Sequence, residues 1–374
     1  MMNVVIGTSF GLLSGGVKSY TTTLKDTLES TGINSSIVKP VNVNRFQKLA
    51  VAIKVFGNRD KAKIEFAKLR IRNCASITYE VIKEKSVNLI HSQDVLYANA
   101  ASYFKLPLIL TVHGPMSREA RMLGAKENYL SYLMKQEMSA YKNADHIIAV
   151  DTGQKDIIIN DYNINPEKIS VVLNSVDTKI FKPINNAKNN LSKGFFLVPR
   201  RLVRKNGVHV AIEAFKNMQD LNLDLWIAGD GPEKINLENK AKELGLSDNI
   251  RFLGSVDQSE MVKLMNQSKG IIIPSVPVEG VIEASSISAL EGMSVSKPVV
   301  ASNIGGLAEI IKHNNTGLLF NEGDDKELAE MMRNLVTNDN KGERIGANAR
   351  DYVINNHSTE VWIKKVAEIY DKTL

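Results

Sequence analysis

Short apolar runs alternate with amphipathic stretches along nearly the whole of this 374-residue chain, and no other feature constrains its fold as much. Asn3 to Ser9, Ser36 to Lys39, Val87 to Ser92, Pro107 to His113, His146 to Val150 and Ile169 to Asn174 read as strands. Helical apolar spacing fills 94–104 and 116–143. Strands that alternate with helices dictate parallel sheets and the α/β class. Over Asp177 to Gly194 (DTKIFKPINNAKNNLSKG) the periodicity gives way to Asn, Lys and Pro, the composition of a linker. Beyond it the alternation restarts, with strands at Phe195–Pro199, Leu223–Ala228, Ile250–Leu253, Gly270–Ser275 and Pro298–Ser302, and helices over 208–218 and 232–244. The length is also too great for one ordinary core. Two doubly wound Rossmann-like domains are therefore expected, 1–185 and 193–356, with a ligand-binding cleft between their strand carboxyl ends. A last amphipathic segment, Thr359 to Lys372 (Val361, Trp362, Val366, Ile369, Tyr370), is expected to cross back to the first domain, so that 357–374 belongs with it.

Composition narrows the class. With 43% apolar and 24% charged residues the chain is globular, not disordered. A single cysteine, Cys74, leaves no internal disulfide and no multi-cysteine metal cluster, and suits a reducing cytoplasm. The chain goes straight into MMNVVIGTS without a basic leader, and its apolar runs stop far short of the ~20 residues of a membrane span. The expected location is cytoplasmic, at most peripheral at the inner face of the membrane. The net charge of +6 is unevenly spread: residues 1–190 hold 25 Lys+Arg against 16 Asp+Glu, and the remainder 22 against 25. Nine bases (Arg45, Lys48, Lys54, Arg59, Lys61, Lys63, Lys68, Arg70, Arg72) face only Asp60 and Glu65, with Leu49, Val51, Ile53, Val55 and Phe56 among the first of them. Such a segment is either a solvated helix pair or a surface for an anionic membrane. Apart from Phe46, Phe56 and Phe66 it lacks the interleaved aromatics of a nucleic-acid binder, so no nucleic-acid partner is expected.

Several groups could carry chemistry. Gly15 and Gly16 open a helix, where backbone N–H groups can approach an anion, though a plain strand-to-helix turn has the same look. VKSY follows, so the third glycine of the dinucleotide fingerprint is missing and a dehydrogenase is disfavoured. Arg200, Arg201, Arg204 and Lys205 cluster after a strand, just ahead of Gly207 and a helix. Arg grips phosphate bidentately and Lys adds point charge, so these four suggest a phosphate site. His91 and His113 each end a strand, where a lone histidine is structural or faces the ligand. No Asp-x-Asp and no paired histidine ligands occur, and neither a divalent metal nor another cofactor is required. Finally, Glu283 and Glu291 follow the Gly270–Ser275 strand. On one helix, eight residues at ~1.5 Å each would set them ~12 Å apart. Even with Glu283 in the preceding loop, that is long for two carboxylates flanking one glycosidic bond, about 5–9.5 Å. It suits two ends of an extended ligand, since carboxylates accept hydrogen bonds from vicinal hydroxyls.

The motifs, in order, resemble glycosyltransferase family 4, retaining enzymes of the GT-B fold, over nearly the whole length. SGGVKSYTTTLKDTLESTG resembles the family's glycine-rich first loop, and NLIHSQD and LPLILTVHG its two His-bearing strand ends. ADHIIAVDTGQKDIII and VVLNSVDTKIFKP resemble the end of its first domain. VPRRLVRKNGVHVAIEAF, LWIAGDGPE and IRFLGSV resemble its donor domain, and EASSISALEGMSVSKPVVASNIGGLAEII the segment of its paired glutamates. The resemblance implies a hexosyltransferase that uses a UDP-, GDP- or ADP-sugar and a saccharide or lipid-linked acceptor in glycan biosynthesis. It implies that Arg201 and Lys205 hold the diphosphate, Glu291 the ribose, and Glu283, with Ser286 nearby, the transferred sugar. Gly15 and Gly16 would lie against the phosphates and His113 near the sugar. In the family's front-face mechanism the leaving diphosphate helps deprotonate the acceptor. Three departures stand out: Asn206 where the family has Lys before the glycine, Ala284-Ser285-Ser286 where it favours Gly-Phe-Gly, and Ser175 in place of a glycine. The rival readings are a nucleotide-sugar epimerase on the same architecture and a basic protein that binds nucleic acid or an anionic surface.

Overall fold

The computed structural model describes residues 2–10, 16–39, 43, 45–55, 57–184 and 193–374. Gly15 and the stretch 185–192 lie outside the described residues. The chain divides into two compact units, Met1–Leu173 with Trp362–Leu374, and Asn174–Val361.

The first unit is built on strands β1 (Asn3–Gly7), β2 (Asn34–Val38), β3 (Leu89–Ser92), β4 (Leu108–Val112), β5 (His146–Ala149) and β6 (Ile169–Val171). They form one parallel sheet in the order β2-β1-β3-β4-β5-β6. The second unit repeats the scheme with β7 (Gly194–Val198), β8 (Leu223–Ala228), β9 (Ile250–Gly254), β10 (Gly270–Ile273), β11 (Val299–Ser302) and β12 (Leu318–Phe320), in the order β12-β11-β10-β7-β8-β9. This is the expected pair of doubly wound α/β domains. Strands covered by helices on both faces must be apolar throughout, and β4 (LILTV) and β10 (GIII) are buried at every position. In the second unit Phe196, Val198, Leu225, Ile227, Ile272 and Val300 pack with Val210, Phe215, Leu328 and Met332. Each such side chain contributes about 1.5–3 kcal/mol by leaving water.

The strand order fixes where a ligand can sit. After β7 the chain runs outward through β8 and β9, then restarts at β10 on the other side of β7. Loops leaving β7 and β10 thus part in opposite directions, and β1 and β3 do the same in the first unit. Such switch points, at the carboxyl ends of the strands, are where open α/β sheets bind ligands.

Three sequence expectations need correction. The 116–143 helix is two, Met116–Met122 and Glu127–Asn143, because Gly124 takes a left-handed φ of 75° and ends the first. The division between the units falls at Leu173–Asn174, not near 185–193. Residues 174–184 are tied to the second unit: Asn174 N donates to Ser285 Oγ (3.1 Å) and Ile184 N to Asn266 Oδ1 (2.8 Å). The return to the first unit likewise begins at Trp362, not 357, since His357 Nδ1 lies 3.2 Å from the Asn174 carbonyl oxygen.

The expected return helix is present as Thr359–Thr373. From Trp362 onward it packs into the first unit, where Tyr370 is fully buried with its hydroxyl 2.7 Å from His91 Nδ1. His91 Nε2 meets Thr111 Oγ1 at 2.7 Å, and burial pushes the imidazole down to about 3. His91 is thus a neutral structural histidine. The basic segment forms helices α2 (Arg45–Val55) and α3 (Arg59–Glu84), following α1 (Gly16–Ser30). No described helix is long and apolar enough to cross a membrane.

Candidate active site

In the second unit the residues singled out in the sequence gather around the β7/β10 switch point. β7 delivers Arg200 and Arg201 two and three residues past its end. They part at once. Arg200 is only 7% exposed and turns inward, whereas Arg201 is exposed. The Arg200 guanidinium meets Glu283 Oε2 at 2.9 Å, Asn206 Oδ1 at 2.6 Å, Ser275 Oγ at 3.0 Å and Ser286 Oγ at 3.1 Å. Of the four cations read as a phosphate cluster, Arg200 is enclosed by protein, while Arg201 is exposed at the strand end. The backbones of Arg201 and Lys205 are fixed: Asn206 Nδ2 donates to the Arg201 carbonyl (2.7 Å) and Val276 N to the Lys205 carbonyl (2.9 Å).

Glu283 is not on the helix. It sits in the loop after β10, and the Ile287–Ser294 helix that bears Glu291 begins only after Ser286, its N-cap residue. This loop is clamped by close backbone approach. Gly306 N donates to the Glu283 carbonyl oxygen at 3.1 Å, and a Cβ on Gly305 would lie 2.3 Å from that oxygen. A Cβ on Gly207 would lie 1.7 Å from the Pro274 carbonyl oxygen. Asn174 closes the other side, its Nδ2 donating to the Ser285 carbonyl at 2.5 Å. Glu291 is partly buried with no cation beside it among the described residues, and burial pushes its carboxyl up to about 8. At neutral pH its protonated form predominates, so it can both donate to and accept from a ligand diol.

The first unit places its candidates separately. Gly16 starts α1 on an exposed turn. His113, just past β4, lines a cavity of about 540 Å³ with Thr8, Lys18, Lys63, Asp94 and Tyr129. His113 Nε2 lies 3.1 Å from Gln93 Oε1, and Tyr20 packs edge-on against the ring at 4.7 Å. Burial pushes this imidazole down to about 4, so it is neutral at pH 7. Sequence reasoning missed two of the residues that shape the glutamate loop, Arg200 as its inward anchor and Asn174. The signal for Asn174 lay in the VVLNSVD motif, and that for Arg200 in its place directly after a continuous apolar strand. Among the described residues, no three His, Cys, Asp or Glu side chains are grouped to hold a metal ion.

Two family models divide the chain between them, "Glycosyltransferase Family 4" over residues 14–180 and "Glycosyl transferases group 1" over residues 181–352. The chain belongs to glycosyltransferase family 4. Among curated relatives it is 27% identical over 305 residues to an uncharacterized glycosyltransferase, MJ1178, of Methanocaldococcus jannaschii, covering 80% of each chain. Among solved structures, sucrose-phosphate synthase from Thermosynechococcus elongatus superposes with a TM-score of 0.81 at 18% identity, over 100% of this chain and 99% of that one. Anabaena HepE, solved with UDP and glucose, gives a TM-score of 0.74 at 19% identity, over 99% and 100%. At such identities these structures speak to the fold alone. Their fold is GT-B, the two Rossmann-like domains found here, and the chain is a glycosyltransferase.

Proposed function

We propose that this glycosyltransferase moves a hexose from a UDP-, GDP- or ADP-sugar to a saccharide or lipid-linked acceptor in glycan biosynthesis, with retention at the anomeric carbon. The observation that carries the reading is the β7/β10 switch point, where exposed Arg201 follows Arg200, whose guanidinium holds Glu283 in its loop. The second unit would hold the donor. Arg201 and Lys205 take the diphosphate, Glu291 the ribose hydroxyls, and Glu283 with Ser286 the sugar. As the anomeric C–O bond breaks, its electrons pass to the leaving diphosphate, whose growing negative charge the cations stabilise. The acceptor oxygen bonds to the anomeric carbon on the same face and passes its proton to the departing phosphate oxygen. No protein base is required, and neutral His113 serves as a hydrogen-bonding group for the sugar. We assign the diphosphate's charge to side chains and not to a resident metal.

The acceptor reading draws on the cavity beside His113. Its wall is mostly apolar (Val95, Val112, Met116, Leu133), with Lys18, Lys63, Asp94 and Glu119 also lining it. An acceptor with an apolar carrier matches that lining. The α2 helix supports a membrane location: Phe46, Leu49 and Ile53 are 84%, 59% and 71% exposed, three or four residues apart. Side chains so spaced share one helix face, and Arg45, Lys48 and Lys54 lie on the same helix. The proposed partner of this face is an anionic bilayer at the inner face of the membrane.

Two experiments test these assignments. Arg201→Ala should weaken binding of the nucleotide sugar roughly tenfold and leave the nucleoside alone nearly unaffected, a loss expected for one charge-assisted phosphate contact. Unchanged donor affinity and transfer would refute the site. Replacing Phe46, Leu49 and Ile53 with Ser should abolish sedimentation with phosphatidylglycerol vesicles; undiminished sedimentation would refute the membrane face.

A further inference from the structure

We propose that Arg200 is the positioning residue for Glu283, and that it and Asn206 form a matched pair ahead of Gly207. The inference rests on the donor-site reading above and concerns how that site is built. Arg200 touches four residues from three segments: Asn206 in the turn after β7, Ser275 and Glu283 in the loop after β10, and Ser286 at the helix N-cap. A single guanidinium thus fastens the two loops that part at the switch point. The ion pair is enclosed, with side-chain exposures of 7% for Arg200 and 12% for Glu283. Removing one partner from such a pair leaves the other charged and poorly solvated, so the carboxylate cannot keep its place.

Asn206 explains why this arginine is tolerated there. It is buried and neutral, its Oδ1 accepts from Arg200, and its Nδ2 donates to the Arg201 carbonyl. A lysine at 206 would offer no acceptor and would bring an ammonium against the guanidinium. The positive charge of this corner is supplied from 200, and it faces Glu283. Arg200 Nε is buried and has no hydrogen-bond partner among the described residues, which leaves a donor for a ligand oxygen near the glutamate. Arg200 thereby acts on the transferred sugar through Glu283, while Arg201 and Lys205 act on the diphosphate.

The test is a charge exchange across positions 200 and 206. Wild type, Arg200→Ala, Asn206→Lys and the double variant are titrated calorimetrically with UDP, GDP and ADP and with UDP-glucose, GDP-mannose and ADP-glucose, and melted without ligand. Arg200→Ala should leave nucleoside diphosphate affinity within about threefold and reduce the extra affinity for the matching nucleotide sugar roughly tenfold, the scale of one coupled polar contact. Asn206→Lys alone should lower both affinity and melting temperature. The double variant should recover diphosphate affinity and melting temperature beyond Asn206→Lys. Equal loss for diphosphate and nucleotide sugar in Arg200→Ala, or strict additivity in the double variant, would overturn the proposal. Should Arg200→Ala not fold, Arg200→Lys serves the same comparison. If wild type binds no nucleotide, the donor reading fails, and the melting-temperature cycle still decides whether 200 and 206 are coupled.

Discussion

Glu291→Gln gives an unusually direct view of the donor site, because it alters charge without altering shape. Burial raises this carboxyl from 4.5 to about 8. Between those values the folded chain holds a proton that the unfolded chain has released, so stability falls as pH rises from about 4.5 to about 8. Below that window both states are protonated and the penalty vanishes; above it both are ionised and the penalty is complete. At about 1.4 kcal/mol per pKa unit the ceiling is about 5 kcal/mol. The side chain keeps some contact with water, which reduces the effect to about 1–3 kcal/mol. Glutamine cannot ionise and escapes the penalty. For a unit of this size the variant should melt about 2–12 °C above wild type at pH 8.5, and the gap should close near pH 5. Scanning fluorimetry from pH 5 to 9 reads this without any ligand. Parallel pH profiles for the two proteins would refute the claim that Glu291 is held unpaired in a desolvated site.

Other perturbations follow from the same geometry. Gly207→Ala would force a Cβ to within 1.7 Å of the Pro274 carbonyl at a φ of +62°, and should lower stability by about 2–4 kcal/mol in denaturant titration. Gly245→Ala, at φ +72° with nothing within 4 Å, should lose only about 1 kcal/mol. Tyr370→Phe strips His91 Nδ1 of its partner in a buried site, and should reduce stability by about 1–3 kcal/mol in the same assay. With the imidazoles of His91 and His113 pushed down to about 3 and about 4, the first unit should lose stability as pH falls from about 6.5 toward 4, because the unfolded chain takes up protons that the folded one refuses.

Much of this fold was legible because parallel strands, buried on both faces, leave continuous apolar runs. NLIHS, LPLILTV, FFLV and GIII stand out from any surroundings. β12 was not, since Leu318–Phe320 is three residues long and offers no period to detect. The break at Gly124 was hidden by apolar spacing that continues on either side of it. At the site, sequence found the right neighbourhood and missed which way side chains turn. Adjacent Arg200 and Arg201 have the same chemistry, yet one is enclosed by Glu283 and the other exposed; only the placement of the β10 loop separates them. His91 and His113 both end strands. His91 meets a tyrosine contributed from 279 residues further along the chain, a partner that no local pattern announces. The carboxylate spacing was legible with Glu283 either on the helix or in the loop before it; what the sequence hid is the course of that loop, set by contacts with Gly305, Gly306 and Asn174.

The central claim is that the second unit binds a nucleotide sugar through its diphosphate and ribose. It is tested most directly by melting the wild-type protein against UDP, GDP and ADP, each alone and as its sugar conjugate. A ligand at 100 times its dissociation constant stabilises by ~2.7 kcal/mol. One base is predicted to raise the melting temperature by several degrees in both forms, with the shift for the nucleotide sugar roughly halved in Arg201→Ala. Absence of a shift with every nucleotide and nucleotide sugar would contradict the account.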